Sequence, residues 1–291
     1  MTGRRGRAGF TLIELMVAIV LTGIVLGSVY QTLGNNQRFY RSTSQILDVQ
    51  QGIRAVAQLL PSELREVDAV AGDVLAMGPD SITIKALRNT FFVCAPPITT
   101  GTKIIVRNDM MYGFRAVDPQ RDRILIFRDG NTQLMNDDTW QKYGITGSTT
   151  GATCTDGSGA GTTINLGGTF TGMTLLDDNF TVGAPARTYE IITYRLYTDA
   201  SGVGWLGVRN YVNSSWGSVS PIAGPLRSDN GISMTYYDST GAITANANNI
   251  AQIRLVVRGI SAAPIAIPGR RANLQKYQDS LTVRVALRNN S

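Results

Sequence analysis

Between Phe10 and Tyr30 the chain runs FTLIELMVAIVLTGIVLGSVY, and Glu14 is the only charge in that stretch. As a helix rising ~1.5 Å per residue, the stretch spans ~31 Å, the hydrocarbon thickness of a bilayer. Arg4, Arg5 and Arg7 precede it, and basic residues beside a span stay on the cytoplasmic side. The pattern predicts a membrane helix with the rest of the chain outside the cytoplasm. A removable secretory signal has a shorter apolar core with small residues after it. Here Ala8 and Gly9 come before the run, and no A-x-A site follows Ser28.

Glu14 needs a reason. A carboxylate at the centre of a membrane helix costs on the order of 2.5–3.5 kcal/mol on insertion scales and marks function by default. If the chain were cut after Gly9, Phe10 would carry a new α-amino group. Glu14 would then lie about one helical turn away, where it can meet an amine, its own or a neighbour's. It also complements the positive end of the helix dipole. The plainer alternative is a signal anchor that tolerates an acid near its edge.

The stretch GFTLIELMVAIV, behind a short basic leader, resembles the prepilin motif of type IV pilins and type II secretion pseudopilins. The resemblance implies cleavage after Gly9 by the membrane prepilin peptidase and methylation of the new amino terminus at Phe10. It implies that Glu14 pairs with the terminus of an adjacent subunit during assembly. The implied partners are the peptidase, other pilin or pseudopilin subunits through the first helix, the inner-membrane assembly platform and the lipid bilayer. The implied location is the bacterial inner membrane, single-pass with the head outside, and then a periplasmic pseudopilus or a cell-surface pilus.

Beyond the apolar run a helical pattern continues. Phe39, Ile46, Ile53 and Leu60 recur every seven residues, with Val49 and Val56 between them. One helix is expected from about Phe10 to Leu60, its second half packing this stripe on a head domain. The other reading of the stripe is a coiled-coil seam with another subunit. Gly34, Asn35 and Asn36 are poor helix formers, so they mark either a place where the helix opens on assembly or a harmless exposed turn. Pro61 lacks a backbone donor and is expected to end or kink the helix, with PSELREV starting a new turn.

From about residue 67 short β-like runs alternate with Gly, Pro and Asn. SITIKAL, TKIIVRN, RILIFRD, TYEIITYRLYT, GWLGVRNYV, ISMTYYD, IAQIRLVVRG and LTVRVAL are the candidate strands. YYDSTGAIT reads as a hairpin turn around Asp238 and Gly241. The expected fold class is α+β, pilin-like: a long amino-terminal helix packed on an antiparallel meander. The expected divisions are a leader over 1–9, a membrane half of the helix over 10–30, an amphipathic half over 31–66 and a β-rich head over 67–291. The turn at Tyr237–Gly241, the Ile250–Val257 strand and the Val285–Asn289 strand are similar to PilW-type minor pilins and J-type minor pseudopilins. That likeness implies a subunit at the tip or initiation complex of a pilus or pseudopilus. A major pilin, or a pilus-borne adhesin or DNA-uptake module, is the alternative.

The chain has no histidine, which removes Ser-His and Cys-His nucleophilic pairs and most zinc sites. No catalytic constellation is visible, and neither a metal nor a cofactor is expected. Only 16% of residues are charged, a balance that suits an exported β-rich domain. The net charge is +6, of which Arg4, Arg5 and Arg7 supply half; the remaining +3 does not point to nucleic acid. Asp137-Asp138 and Asp177-Asp178 lack calcium-loop spacing and read as solvated loop acids. GSTTGATCTDGSGAGTT lacks the lysine of a phosphate loop and reads as a flexible surface loop. Trp140, Trp205 and Trp216 are either a binding patch or β-core aromatics. Arg270-Arg271 read as a solvated loop, the alternative being a contact for DNA or an acidic partner. Cys94 and Cys154 are either unrelated thiols or, in an oxidising compartment, a disulfide.

Overall fold

The computed structural model describes residues 11–95, 103–113, 115–129, 133, 138–167, 181–265 and 274–288. A single helix, α1 (Leu12–Leu64), takes up the first 53 of these after its cap, Thr11. It runs unbroken through Gly34, Asn35 and Asn36. Its buried positions are Val49, Gly52, Ile53, Val56, Ala57, Leu60, Pro61 and Leu64, a strict 3-and-1 spacing that draws one face. Two expectations are corrected here. Phe39 is 62% exposed, so the packed stripe begins with half-buried Ile46 and buried Val49. Pro61 does not end the helix, which continues for one more turn and closes with Arg65 N–H donating to the Pro61 carbonyl. Leu60 and Leu64 are fully buried on either side of Pro61. Their burial, each roughly 1.5–3 kcal/mol, together offsets a proline penalty of about 3 kcal/mol.

The head pairs its strands antiparallel in every case among the described residues, and one isolated parallel bridge joins Asp68 to Arg288. Its strands are β1 (Val74–Met77), β2 (Ser81–Ala95), β3 (Lys103–Arg107), β4 (Tyr112–Gly113), β5 (Arg123–Arg128), β6 (Thr139–Thr153) and β7 (Ala160–Leu166). They continue with β8 (Pro185–Thr198), β9 (Gly204–Val212), β10 (Ser215–Trp216), β11 (Ser220–Leu226), β12 (Ile232–Tyr237), β13 (Gln252–Ile260) and β14 (Gln278–Ala286). All eight expected strands are present.

Two long strands organise the head. β2 and β8 pair from Ser81↔Arg195 to Phe92↔Pro185. At one end of this ribbon, β1 joins β2 and β9 joins β8, followed by β11 and β13, with β12 and β14 both paired to β13. This sheet covers the second half of α1. Val49, Ile53, Val56, Leu60 and Leu64 share a core with Ile82, Ile192, Leu206, Leu226 and Leu255.

At the other end the pairings close on themselves. β2 pairs β3, β3 pairs β7, β7 pairs β6, β6 pairs β5, β5 pairs β8, and β8 returns to β2. The ring is a small six-stranded barrel with its own core. Alternate residues point inward, among them Phe91 and Val93, Ile104 and Val106, and Ile124 and Ile126. Tyr143 and Ile145, Ile164 and Leu166, and Ala186 complete it, with no residue from α1. So the simple meander on the helix describes only half of the head. The Gly-rich stretch is also corrected: residues 147–153 lie in β6 and 160–163 in β7, paired to each other. The disulfide between Cys94 and Cys154 fastens the end of β2 to the β6–β7 turn.

Candidate assembly surface

Thr11 and Glu14 build the start of α1. The Thr11 backbone N–H and its hydroxyl both donate to Glu14 Oε2 at 3.0 Å, and the Glu14 N–H donates to Thr11 Oγ1 at 3.3 Å. This reciprocal capping box satisfies two amides that a helix end leaves without partners. It also holds the Glu14 carboxylate at the amino-terminal end of the helix, beside the position Phe10 occupies in sequence. Phe10 and Gly9 themselves lie outside the described residues.

From Leu12 to Leu33 the helix carries apolar side chains on every face, Glu14 and Gln31 apart, and none of the described residues covers it. Leu12 is 77% exposed and Leu26 still 62%, and the most apolar window of α1 has none of its residues buried. A helix apolar on every face belongs in lipid or among other helices. Its few polar side chains are consistent with that. Ser28 Oγ donates to the Val25 carbonyl and Thr32 Oγ1 to the Ser28 carbonyl, so neither hydroxyl needs water.

A buried charge network, not foreseen in the sequence, ties this helix to the head. Arg88 on β2 lies between Glu63 at the end of α1 (3.1 Å) and Glu190 on β8. Arg115 continues it, 2.6 Å from Asp122 and 3.4 Å from Glu190. Asn210 on β9 donates to Glu190 at 3.1 Å. The three side chains at its centre are 24%, 13% and 7% exposed for Glu63, Arg88 and Glu190. Nothing in local sequence signals it, because its members are 25 and 102 residues apart. Nearby, Lys85 Nζ reaches the Gly72 carbonyl (2.6 Å) and Asp73 (3.3 Å); burial pushes its pKa down, against the pull of Asp73.

The remaining candidates separate. The three tryptophans do not make one patch. Trp205 donates to Asp199, Trp140 packs edge-on to Phe127, and Trp216 packs on Tyr211. Trp140 and Trp216 each carry an arginine, Arg187 and Arg209, at 4.9 and 4.5 Å. Cys94, Cys154 and Asp156 lie close enough to suggest a metal site, but the two sulfurs are bonded to each other and have no thiolate to offer. Asp137, Asp177, Asp178, Arg270 and Arg271 lie outside the described residues.

No curated protein and no solved structure matches the chain. Residues 4–30 match the family model described as the prokaryotic N-terminal methylation motif. The matched segment holds the basic leader, Gly9, Phe10, Glu14 and the uncovered half of the apolar helix. The match supports the pilin or pseudopilin family, whose motif prepilin peptidase processes, and the uncovered apolar helix fits the inner-membrane anchor of such subunits.

Proposed function

We propose that the chain is a minor pilin or minor pseudopilin. Prepilin peptidase cuts it between Gly9 and Phe10 and methylates Phe10, and the subunit joins the tip or initiation complex of a type IV pilus or type II secretion pseudopilus. The observation that carries this reading is the uncovered apolar half of α1, headed by Glu14 in its capping box. Leaving lipid is favourable only if neighbours cover that surface again, at about 25 cal/mol per Å² of apolar area. Glu14 supplies the register: its carboxylate meets the amine of the preceding subunit's Phe10 in a water-poor setting, where a charge pair is strongest. A head enlarged by a separate barrel fits a uniform fibre poorly and an end position well.

Glu14→Ala in the native host tests the reading. The variant inserts and is cleaved, but its incorporation into sheared filaments falls. Normal incorporation would overturn the role given to Glu14, and recovery as the stoichiometric main component would make the chain a major pilin instead.

A second reading rests on the barrel. Because α1 contributes nothing to its core, the barrel is spare for carrying a ligand site, as in an adhesin or an uptake module borne on the same anchor.

A further inference from the structure

Where the linker after α1 passes the barrel, the surface dips into a cleft of about 510 Å³. That volume suits a small ligand. The cleft is mixed in character. Its apolar wall is Leu87, Leu125 and the indole of Trp140. Four cations, Lys85, Lys142, Arg187 and Arg288, face three acids, Glu66, Asp68 and Asp73. Lys85 and Asp73 satisfy each other, which leaves three cations against two acids. The strand register places Lys142 and Arg187 on either side of Leu125, on one outward face.

Arg187 is the informative residue. It is half-buried, stacked 4.9 Å from the centre of the Trp140 ring, and it forms no ion pair or side-chain hydrogen bond among the described residues. A guanidinium held this way keeps its N–H fork for a planar anion. The charge surplus is one, which matches a monocarboxylate and falls short of a phosphate dianion. Glu66 is a hydrogen-bond acceptor, which suits hydroxyl groups. An apolar aromatic wall suits the C–H face of a sugar ring.

We propose that this cleft binds an acidic saccharide, with a uronate carboxylate on Arg187 and Lys142, ring hydroxyls on Glu66 and a ring face on Trp140 and Leu125. The inference deepens the reading of the barrel as a ligand carrier. It is tested on the unassembled subunit, so its outcome is independent of cleavage at Gly9 and of filament entry.

The test uses the full chain in detergent micelles, titrated with glucuronate, glucose, acetate and inorganic phosphate and followed by calorimetry. Glucuronate is expected to bind saturably and at least about tenfold more tightly than the other three, the loss expected for a missing charge-assisted hydrogen bond. Arg187→Gln and Trp140→Phe should each weaken it by about tenfold or more, while Arg209→Gln, on the other arginine–tryptophan stack, should not. Circular dichroism separates loss of binding from loss of fold, and Lys142→Gln, at an exposed position, gives a second variant free of that risk. Equal binding of glucose or acetate, tighter binding of phosphate, no saturable binding at all, or full affinity in Arg187→Gln and Lys142→Gln would overturn the proposal.

Discussion

Gly52 of α1 and Gly224 of β11 meet backbone to backbone. A Cβ added to Gly52 would lie 3.2 Å from the Gly224 Cα and closer still to its carbonyl. Gly259 of β13 makes a matching approach, where a Cβ would fall 2.7 Å from Val49 Cγ1. The helix can therefore sink onto the sheet at two places where the sheet has no side chain.

Gly52→Ala follows from that geometry. Alanine favours a helix over glycine by about 1 kcal/mol, but a clash with rigid backbone costs typically 1–3 kcal/mol. Urea unfolding of the full chain in micelles should show net destabilisation. Gly34→Ala, with nothing within 4 Å of the added carbon, should instead leave stability unchanged or raise it by up to about 1 kcal/mol. Two substitutions of one type on one helix should thus move in opposite directions.

The Cys94–Cys154 bond spans 60 residues of sequence and ties the end of β2 to the β6–β7 turn. In the chain-entropy account a loop of that size is worth about 4 kcal/mol. Cys154→Ser, or reduction with excess thiol, should lower the denaturant midpoint accordingly. The α1-facing half should resist longer in hydrogen exchange, because its core lies outside the loop.

Arg88 holds two carboxylates, Glu63 and Glu190. Arg88→Ala leaves buried Glu190 with only Arg115 at 3.4 Å and the Asn210 amide, so the loss should approach but not exceed the about 3–5 kcal/mol of a fully broken buried pair. Pairing it with Glu190→Gln should recover part of that loss, because the second change removes the underpaired charge. A double-mutant cycle on unfolding free energies reads the coupling directly.

Acid should weaken the head through its turns. Asp199 accepts from the Ser201 hydroxyl and the Trp205 N–H, the two largest causes that pull its carboxyl from the ordinary 3.8 down to about 2. Asp156 and Asp238 are lowered in the same direction, each chiefly by the hydroxyl two residues on. A carboxyl with a depressed folded pKa stabilises the fold fully above its unfolded value and loses that contribution as pH falls through the folded one. The loss should therefore develop between pH 4 and pH 2. Asp199→Asn should flatten the thermal midpoint against pH in that window.

Those three aspartates also show what local sequence could reveal. Each opens an Asp-x-Ser/Thr-Gly turn: residues 156–159, 199–202 and 238–241. In each, Asp Oδ1 accepts the backbone N–H two residues on, and the glycine takes a φ of +97°, +79° or +84°, open at low cost to glycine alone. YYDSTG was legible as such a turn. CTDGSG carries the same signature but sits in a run of Gly, Ser and Thr that reads as loop. The glycines hid β6 and β7, whose small side chains pack only because the strands pair with each other.

The uncovered apolar half of α1 was legible because a span suited to lipid places one requirement on every residue. Phe39 and Pro61 misled, because a seven-residue spacing does not say where the head begins, and tertiary burial overrode a helix breaker. Barrel closure and the Arg88 network depend on β2 meeting β8 about a hundred residues later, a pairing that no local pattern records. Glu14 was singled out by its cost in lipid, whereas its local bonds to Thr11 emerge only from the folded helix end.

The central claim is that α1 begins at a processed amino terminus. Intact and top-down mass spectrometry of the chain purified from its native membrane tests it most directly. The account predicts a polypeptide that starts at Phe10 and carries one added methyl group on its α-nitrogen. A chain that still starts at Met1, with Arg4, Arg5 and Arg7 attached, would contradict it.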